Sequence, residues 1–334
     1  MTLSDRLRRL EGRPALLAIA TMNAITGLVA ACVLAPLSFG ADADTYRRGA
    51  EALAAGTYDK DFLYSPLAAL LATPLTWIPA AAAAVLMTAI GAAILAVGVA
   101  VETRGMARLD RALVAVAAFG FLPVVNELLL GQITLLFAAA LWPVARWPDR
   151  RRNGVAFGIL MALAPKPALL PVLAWMLLRR RQALLGAVLA GLATALVGLL
   201  ACGLDAHLHW LQVLTRAGSV DRRGNVSLWT DGVAAWNVAA AVLVTAATAL
   251  CLWRSEDAGL VAALLAGLLL APYTLIYSAT ILLLVVRAAA RLAPWSTRLL
   301  ALAANPALLA AAPAWLAVGL AADAGAISRR RRGP

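Results

Sequence analysis

The sequence predicts an all-α, polytopic integral membrane protein, and three observations carry that prediction. Mean hydropathy is +0.84 with 14% charged residues, far from the balance of a soluble globular chain. The apolar residues fall in blocks of roughly fifteen to twenty-five, a length that crosses hydrocarbon as a helix, and arginine clusters separate the blocks. Alanine and leucine dominate the blocks without period-two alternation, so backbone groups must be satisfied within each segment by helices, not between barrel strands. The expectation is one domain over 1–334, a bundle of about 10–12 helices that includes short hairpins.

The net charge of +12 does not point to nucleic acid, because the arginines sit in short clusters at the ends of apolar blocks, where orientation signals belong. No nucleic-acid partner is expected; membrane lipid is. Cys32, Cys202 and Cys251 lie within or beside apolar blocks without CxxC spacing, and read as small buried hydrophobes. The basic start followed by a long apolar stretch lacks a convincing cleavage site and reads as a retained first span.

Arginine-rich turns recur at Arg6 to Arg13, Arg104 to Arg111, Arg146 to Arg152, Arg179 to Arg181, Arg254, Arg287 to Arg298 and Arg329 to Arg332. If all face the cytoplasm of a plasma membrane, the N-terminus is cytoplasmic and every intervening segment leaves and returns. The first span, about 15–37, goes out to a first external loop at 38–63, and about 79–101 returns. Between them "YSPLAALLATPLTWIP" is short and bracketed by prolines, which predicts an interfacial or partly inserted helix. The stretches Arg111 to Arg146, Arg152 to Arg179 and Asp257 to Arg287 are too short for two full crossings of about 20 residues each, which predicts hairpins of two short helices. Their turns, "LPVVNELLLGQ", "LAPKPALLP" and "LAPYTLIYS", combine proline with polar atoms. Irregular backbone at such depth is tolerated where it is buried in protein or lines a watery cavity, so the three tips point to one shared external site. A further span, about 183–204, leads to a second external loop at 205–231, and about 232–253 returns; 322–334 is a basic tail preceded by a fourth short hairpin about Asn305 and Pro306.

Several polar residues stand where chemistry could use them. Asp42 and Asp44 follow the first span, and Tyr46, Arg47, Arg48 and Glu51 follow at helical spacing; Asp42 and Tyr46, four apart, share a face if the segment is helical. A solvated loop or helix cap explains them as well as a general base at the membrane rim does. Lys166, one of two lysines in the chain, lies between prolines at a depth where a charge is costly and needs a partner or a purpose. It could pair with an internal acid such as Glu127, or serve as a point charge for phosphate. Asn126, Glu127 and Gln132 at the preceding tip could hydrogen-bond a sugar or bridge helices. His207 and His209, with Asp205 alone nearby, make too weak a set for a metal, and none is assigned. "RRGNVSLW", with Asn225, fits an acceptor-side loop or ordinary turn chemistry.

In order along the chain, "ADADTYRRGAEALAAGTYDKDFLYSPLAALLATPLTWIP", "LLLGQITLLFAAAL", "NGVAFGILMALAPKPALLPVLAWML", "RGNVSLW" and "LLAPYTLIYSATILLL" resemble blocks of the bacterial multi-spanning glycosyltransferases of family 87, from about residue 40 to 290. The resemblance implies the GT-C architecture and a mannosyltransferase-like enzyme of the cell envelope. Such an enzyme moves a sugar, mannose favoured, from a polyprenyl-phosphate donor to a glycolipid or glycan acceptor on the outer face. It implies inversion, Asp42 as catalytic base with Asp44 as second candidate, and no cofactor beyond the lipid-linked co-substrate. Lys166, Arg47 and Arg48 would meet the donor phosphate; Tyr46, Tyr64, Gln132, Asn225 and Tyr277 would contact substrate. Tyr64-Ser65-Pro66 stands where a second proline is usual, and Tyr277-Ser278 where many relatives carry a Tyr-Asp or His pair, which puts substrate choice in question. The alternative is a transporter or flippase for a lipid-linked or small polar substrate, which also uses broken helices and buried charge. It would call for pseudo-symmetric halves and acids inside the spans, whereas these acids cluster after the first span. A non-catalytic scaffold would tolerate Asp42→Asn.

Overall fold

The structure is a computed structural model that describes residues 3–216, 227–228, 235–271 and 274–285. Among these residues it is all-helical. Twelve α-helices run in order: α1 (Leu3–Ser38), α2 (Ala41–Ala54), α3 (Pro66–Ala72), α4 (Ala80–Glu102), α5 (Arg108–Phe119), α6 (Leu122–Leu130), α7 (Thr134–Arg146), α8 (Arg151–Leu163), α9 (Leu170–Arg179), α10 (Arg181–Arg216), α11 (Ala235–Arg254) and α12 (Glu256–Leu270). Short 3₁₀ helices follow α3, precede α9, and close the described chain at Ile276–Val285.

Among the described residues, four segments are long and apolar enough to cross a membrane: Leu16–Ala54, Ala80–Glu102, Arg181–Thr215 and Asn237–Arg254. The first comprises α1 and α2, and it breaks at Gly40, whose φ of 74° is left-handed and ends α1 as glycine allows and other residues resist. Each of the four segments overlaps a span expected from hydropathy, but the first continues through α2 to Ala54, into the stretch expected to be external, and the third continues to Thr215. α5 and α6 pass the same test only when taken together, as a pair bent by 60° where Gly120 and Pro123 interrupt the helix.

The short blocks differ in detail from simple hairpins. Arg111 to Arg146 holds three helices rather than two, because the Gly120 break splits its outward limb into α5 and α6. Arg152 to Arg179 is the expected pair, α8 and α9 around a proline-bracketed turn. Asp257 to Arg287 holds α12 followed by a 3₁₀ segment in place of a second α-helix. The stretch 38–63 is not loop throughout, since 41–54 form α2; the stretch 205–231 begins as helix, because α10 continues to Arg216 beyond a kink at Gly203. The fourth hairpin and the basic tail lie outside the described residues.

The main core joins α7, α8, α9 and α12 through Phe137, Phe157, Trp175, Met176, Leu264 and Leu268, all buried. In lipid the gain comes from close packing and not from expelling water, so small residues matter most where helices touch. α8 and α10 press backbone to backbone at Gly154, Gly158 and Gly186: a Cβ on Gly154 would fall inside the Ala183 carbonyl, and one on Gly158 inside that of Ala187.

Among the described residues, the arginine turns about Arg146, Arg179, Arg180 and Arg254 and the end of α4 meet at one end of this bundle and are held by side-chain contacts. Glu102 accepts from Trp142 Nε1 at 2.7 Å and pairs with Arg146 at 3.1 Å. Arg180 pairs with Glu256 and donates to the Val144 carbonyl at 3.0 Å, while Arg179 caps α11 through the Leu252 and Trp253 carbonyls at 2.9 and 2.7 Å. Asp149 accepts from the Gln182 and Ala183 backbone N–H groups at 3.1 and 2.9 Å, satisfying the start of α10. The other end of the bundle holds the C-terminal ends of α1 and α6, which meet through the Gly40 and Leu129 backbone, and the C-terminal end of α8, which meets Ser65.

Candidate active site

At that end, backbone contacts fix the frame before any side chain is considered. The Gly40 N–H donates to the Leu129 carbonyl at 2.7 Å, and a Cβ on Gly40 would overlap that of Ala84, so the turn between α1 and α2 is pinned between α6 and α4. Gly131, with φ of 74°, ends α6 and brings its backbone so close to α2 that an added Cβ would stand 3.2 Å from that of Ala43. After α2 the chain returns past Phe62, which is buried against Tyr46 and Ala69. The Ser65 N–H then donates to the Leu163 carbonyl at 2.7 Å, and the Ser65 hydroxyl caps α3. These contacts place the start of α2, the 131–133 turn and the turn after α8 beside one another.

Gln132 is the centre of the side-chain cluster. Its Oε1 accepts from the Tyr46 hydroxyl at 3.1 Å, the Tyr64 hydroxyl at 3.3 Å and the Ile133 N–H at 3.1 Å, and its Nε2 donates to the Tyr277 hydroxyl at 3.0 Å. The Tyr46 and Tyr64 rings pack 5.4 Å apart. The Asp42 carboxyl group, one helical turn before Tyr46, also faces the Gln132 side chain. Its Oδ2 is closed off from solvent and has no hydrogen-bond partner.

Lys166 enters from the turn between α8 and α9. Among the described residues its ammonium makes no ion pair or hydrogen bond; Nζ lies 5.7 Å from the Phe137 ring centre and 5.6 Å from that of Tyr277. Cation–π contact steadies a charge without using its N–H donors, so all three remain for an anion. Glu127 and Asp42 are the carboxylates whose fields act on it, Glu127 more strongly. Glu127 is fully buried; Oε1 accepts the Leu135 N–H at 2.8 Å, and Oε2 has no partner.

Six residues singled out in the sequence thus come together: Asp42, Tyr46, Tyr64, Gln132, Lys166 and Tyr277. The other candidates do not join them. Asp44 points to the opposite side of α2, where it pairs with Arg48, which also lies 3.7 Å from Asp59. Arg47 faces Glu51 at 3.8 Å. Asn225 lies outside the described residues. His207 bonds the Gly203 carbonyl at 2.8 Å and packs on Trp210, whose indole N–H donates to the Leu63 carbonyl at 3.2 Å, so the end of α10 braces the loop after α2. Phe137 was not legible as a site residue, since it lies in an apolar run and only the tertiary fold brings its ring to Lys166.

An unpartnered carboxylate oxygen near a free ammonium, framed by tyrosines and an amide, can take a proton from a hydroxyl on one side and attract a phosphate on the other. A sequence model of glycosyltransferase family 87 matches residues 62–278, which include Tyr64, Gln132, Lys166 and Tyr277 and begin after α2. No curated protein and no solved structure matches the chain. With a family match over more than half its length and a multi-helical apolar fold, the chain belongs to glycosyltransferase family 87 and is a multi-pass membrane glycosyltransferase.

Proposed function

We propose that the protein transfers a sugar, mannose favoured, from a polyprenyl-phosphate donor to a glycolipid or glycan acceptor of the cell envelope, with inversion. The observation that carries this reading is the pairing, in one cluster, of an Asp42 carboxylate with an unpartnered Oδ2 and a Lys166 ammonium with uncommitted N–H donors. The acceptor hydroxyl oxygen attacks the anomeric carbon while Asp42 takes its proton. The bond from that carbon to the phosphate oxygen breaks, its electron pair leaves with the polyprenyl phosphate, and Lys166 offsets the charge that remains. Tyr46, Tyr64, Gln132 and Tyr277 form the wall against which the sugar is oriented.

Two arguments support the location. A polyprenyl donor does not leave the bilayer, so its sugar is presented at headgroup level, where the turn after a first span lies. The described arginine turns about Arg146, Arg179, Arg180 and Arg254 lie at the opposite end of the helices, and the positive-inside rule supports reading that end as cytoplasmic, with the Asp42 cluster on the outer face of a plasma membrane and the N-terminus inside. Between the two residues first considered as base, Asp42 is the stronger choice, because Asp44 is committed to Arg48 on the outer side of α2. Lys166 is likewise preferred over Arg47 and Arg48 for the phosphate. Family membership favours this chemistry over transport.

The test is sugar transfer by purified, lipid-reconstituted protein offered polyprenyl-phosphate mannose, glucose and arabinose in turn with a membrane extract as acceptor. Transfer that is lost in Asp42→Asn and retained in Asp44→Asn supports the reading. No transfer from any of these donors, or transfer indifferent to Asp42→Asn, refutes it.

A further inference from the structure

The turn from α7 into α8, "WPDRRRN", has no part in the mechanism above, and setting orientation would account for its charge alone. The turn also has an internal order that orientation does not require. Trp147, Pro148, Arg150, Arg152 and Asn153 line a cavity of about 270 Å³. Asn153 is buried and donates from Nδ2 to the Pro148 carbonyl at 2.8 Å, which fixes the turn around the cavity. Trp147 is 47% exposed, yet its ring is held edge-on to Trp142 at 5.5 Å, and Trp142 is itself bonded to Glu102.

The three arginines are not equivalent. Arg151, which does not line the cavity, donates from Nε to Gln182 Oε1 at 3.1 Å. Arg150 and Arg152, which do, are exposed, and among the described residues their guanidinium groups make no ion pair or hydrogen bond. Asp149, the one acid in the turn, is occupied with the start of α10, and no carboxylate lines the cavity. Two guanidinium forks thus flank a cavity to which the protein supplies no anion, an arrangement suited to phosphate oxygens. The neighbours indicate what carries the phosphate. A tryptophan at the end of a membrane helix sits at headgroup level, with its ring against acyl chains and its polar edge toward water. Along α8 from Arg152, Val155 and Ile159 follow three and seven residues on and are 38% and 37% exposed, so an apolar stripe continues the same helix face beneath the charge. A soluble anion has no use for that stripe, whereas a phospholipid can lay an acyl chain along it.

We propose that this cavity binds an anionic phospholipid, its phosphodiester held by Arg150 and Arg152, its headgroup flanked by Trp147, and one acyl chain lying on Val155 and Ile159. The site is at the arginine end of the bundle, away from the Asp42 cluster, and does not depend on the sugar-transfer reading.

The experiment measures lipid binding to the purified full chain in neutral detergent by native mass spectrometry, with phosphatidylglycerol and phosphatidylcholine of the same acyl chains as probes. It compares wild type, Arg150→Gln/Arg152→Gln, Arg152→Gln alone and a control with the same loss of charge at two other exposed arginines, Arg108→Gln/Arg111→Gln. Thermal unfolding is recorded for each. Wild type is expected to bind phosphatidylglycerol about tenfold more tightly than phosphatidylcholine. Arg150→Gln/Arg152→Gln should lose that preference, Arg152→Gln should weaken phosphatidylglycerol binding about threefold, and the control should stay within about twofold of wild type. Glycerol 3-phosphate, which offers the phosphate without the chains, should not displace the lipid. No preference in wild type, equal losses in the two double variants, or displacement by glycerol 3-phosphate would each overturn the inference, the last by making the site one for a soluble anion. Arg150→Gln/Arg152→Gln should unfold within a few degrees of wild type. If neither it nor Arg152→Gln folds, these arginines are structural and the inference falls.

Discussion

Gln132 donates from Nε2 to the Tyr277 hydroxyl at 3.0 Å while its Oε1 accepts from the Tyr46 hydroxyl at 3.1 Å, so a single amide ties α2 to the last described segment of the chain. The amide is buried, and both of its ends are engaged by the protein. Such networks specify an arrangement when complete and are costly when broken, because each orphaned group keeps its desolvation penalty.

Tyr277→Phe isolates one link of that network. The ring stays beside Lys166, but Gln132 Nε2 loses the hydroxyl that it meets in the buried cluster. A loss of about 1–3 kcal/mol is expected, seen as a lower unfolding temperature in detergent. Gln132→Leu, which removes the amide that three tyrosine hydroxyls share, should cost more than Tyr277→Phe. Equal melting temperatures for Tyr277→Phe and wild type would show that the network does not hold the tips together.

The two aspartates at the start of α2 give a second contrast. Asp42→Asn keeps shape and removes the charge that would accept a proton, with an expected fall in transfer rate of about 10²–10⁴-fold. Asp44→Asn breaks an exposed i, i+4 pair with Arg48, worth at most about 0.5 kcal/mol, and should leave the rate within about twofold. Comparable losses in both variants would mean that α2 as a whole, and not Asp42, is what catalysis requires.

Much of this site was legible because its parts obey local rules. The four-residue spacing of Asp42 and Tyr46 put them on one face once α2 proved helical, and proline-bracketed polar turns between short apolar blocks marked 131–133 and the Lys166 turn as tips that had to meet inside protein. What local rules could not supply was the choice between Asp42 and Asp44, since that depends on which side of α2 faces Gln132. The three-helix form of Arg111 to Arg146 was signalled by Gly120 and Pro123, but a single hydropathy block hides a bend. Gly120 is needed there because α1 crosses so closely that an added Cβ would lie 2.6 Å from the Asn23 carbonyl oxygen. Nor could charge clusters reveal that Arg146, Arg179 and Arg180 clamp helix ends as well as orient the chain, because their partners Glu102, Leu252 and Glu256 come from distant segments.

Glycine positions separate packing from backbone freedom. Gly158→Ala would drive a methyl into the Ala187 carbonyl across the α8–α10 contact, and about 1–3 kcal/mol of destabilisation is expected. Gly98, inside α4, has nothing within 4 Å of an added Cβ, so Gly98→Ala should raise stability by up to about 1 kcal/mol through helix propensity. Thermal unfolding of the two variants in the same detergent checks the sign of each change. A stabilised Gly158→Ala would mean that α8 and α10 do not pack as closely as described.

Orientation in the membrane follows from the separation of the two ends of the bundle and can be tested directly. Lys60 is exposed in the loop after α2, at the Asp42 end, and Arg150 is exposed at the arginine end, before α8. In a chain whose Cys32, Cys202 and Cys251 are replaced by alanine, Lys60→Cys should react with a membrane-impermeant maleimide added to intact cells. Arg150→Cys should react only after the membrane is opened, because the arginine clusters favour the cytoplasmic side. The converse labelling would place Asp42 inside the cell, where the donor's sugar and the base would have to meet on the cytoplasmic leaflet. Labelling of both residues from one side would require that the Asp42 end and the arginine end not be separated by hydrocarbon, which would contradict the reading of α4 and α10 as crossings.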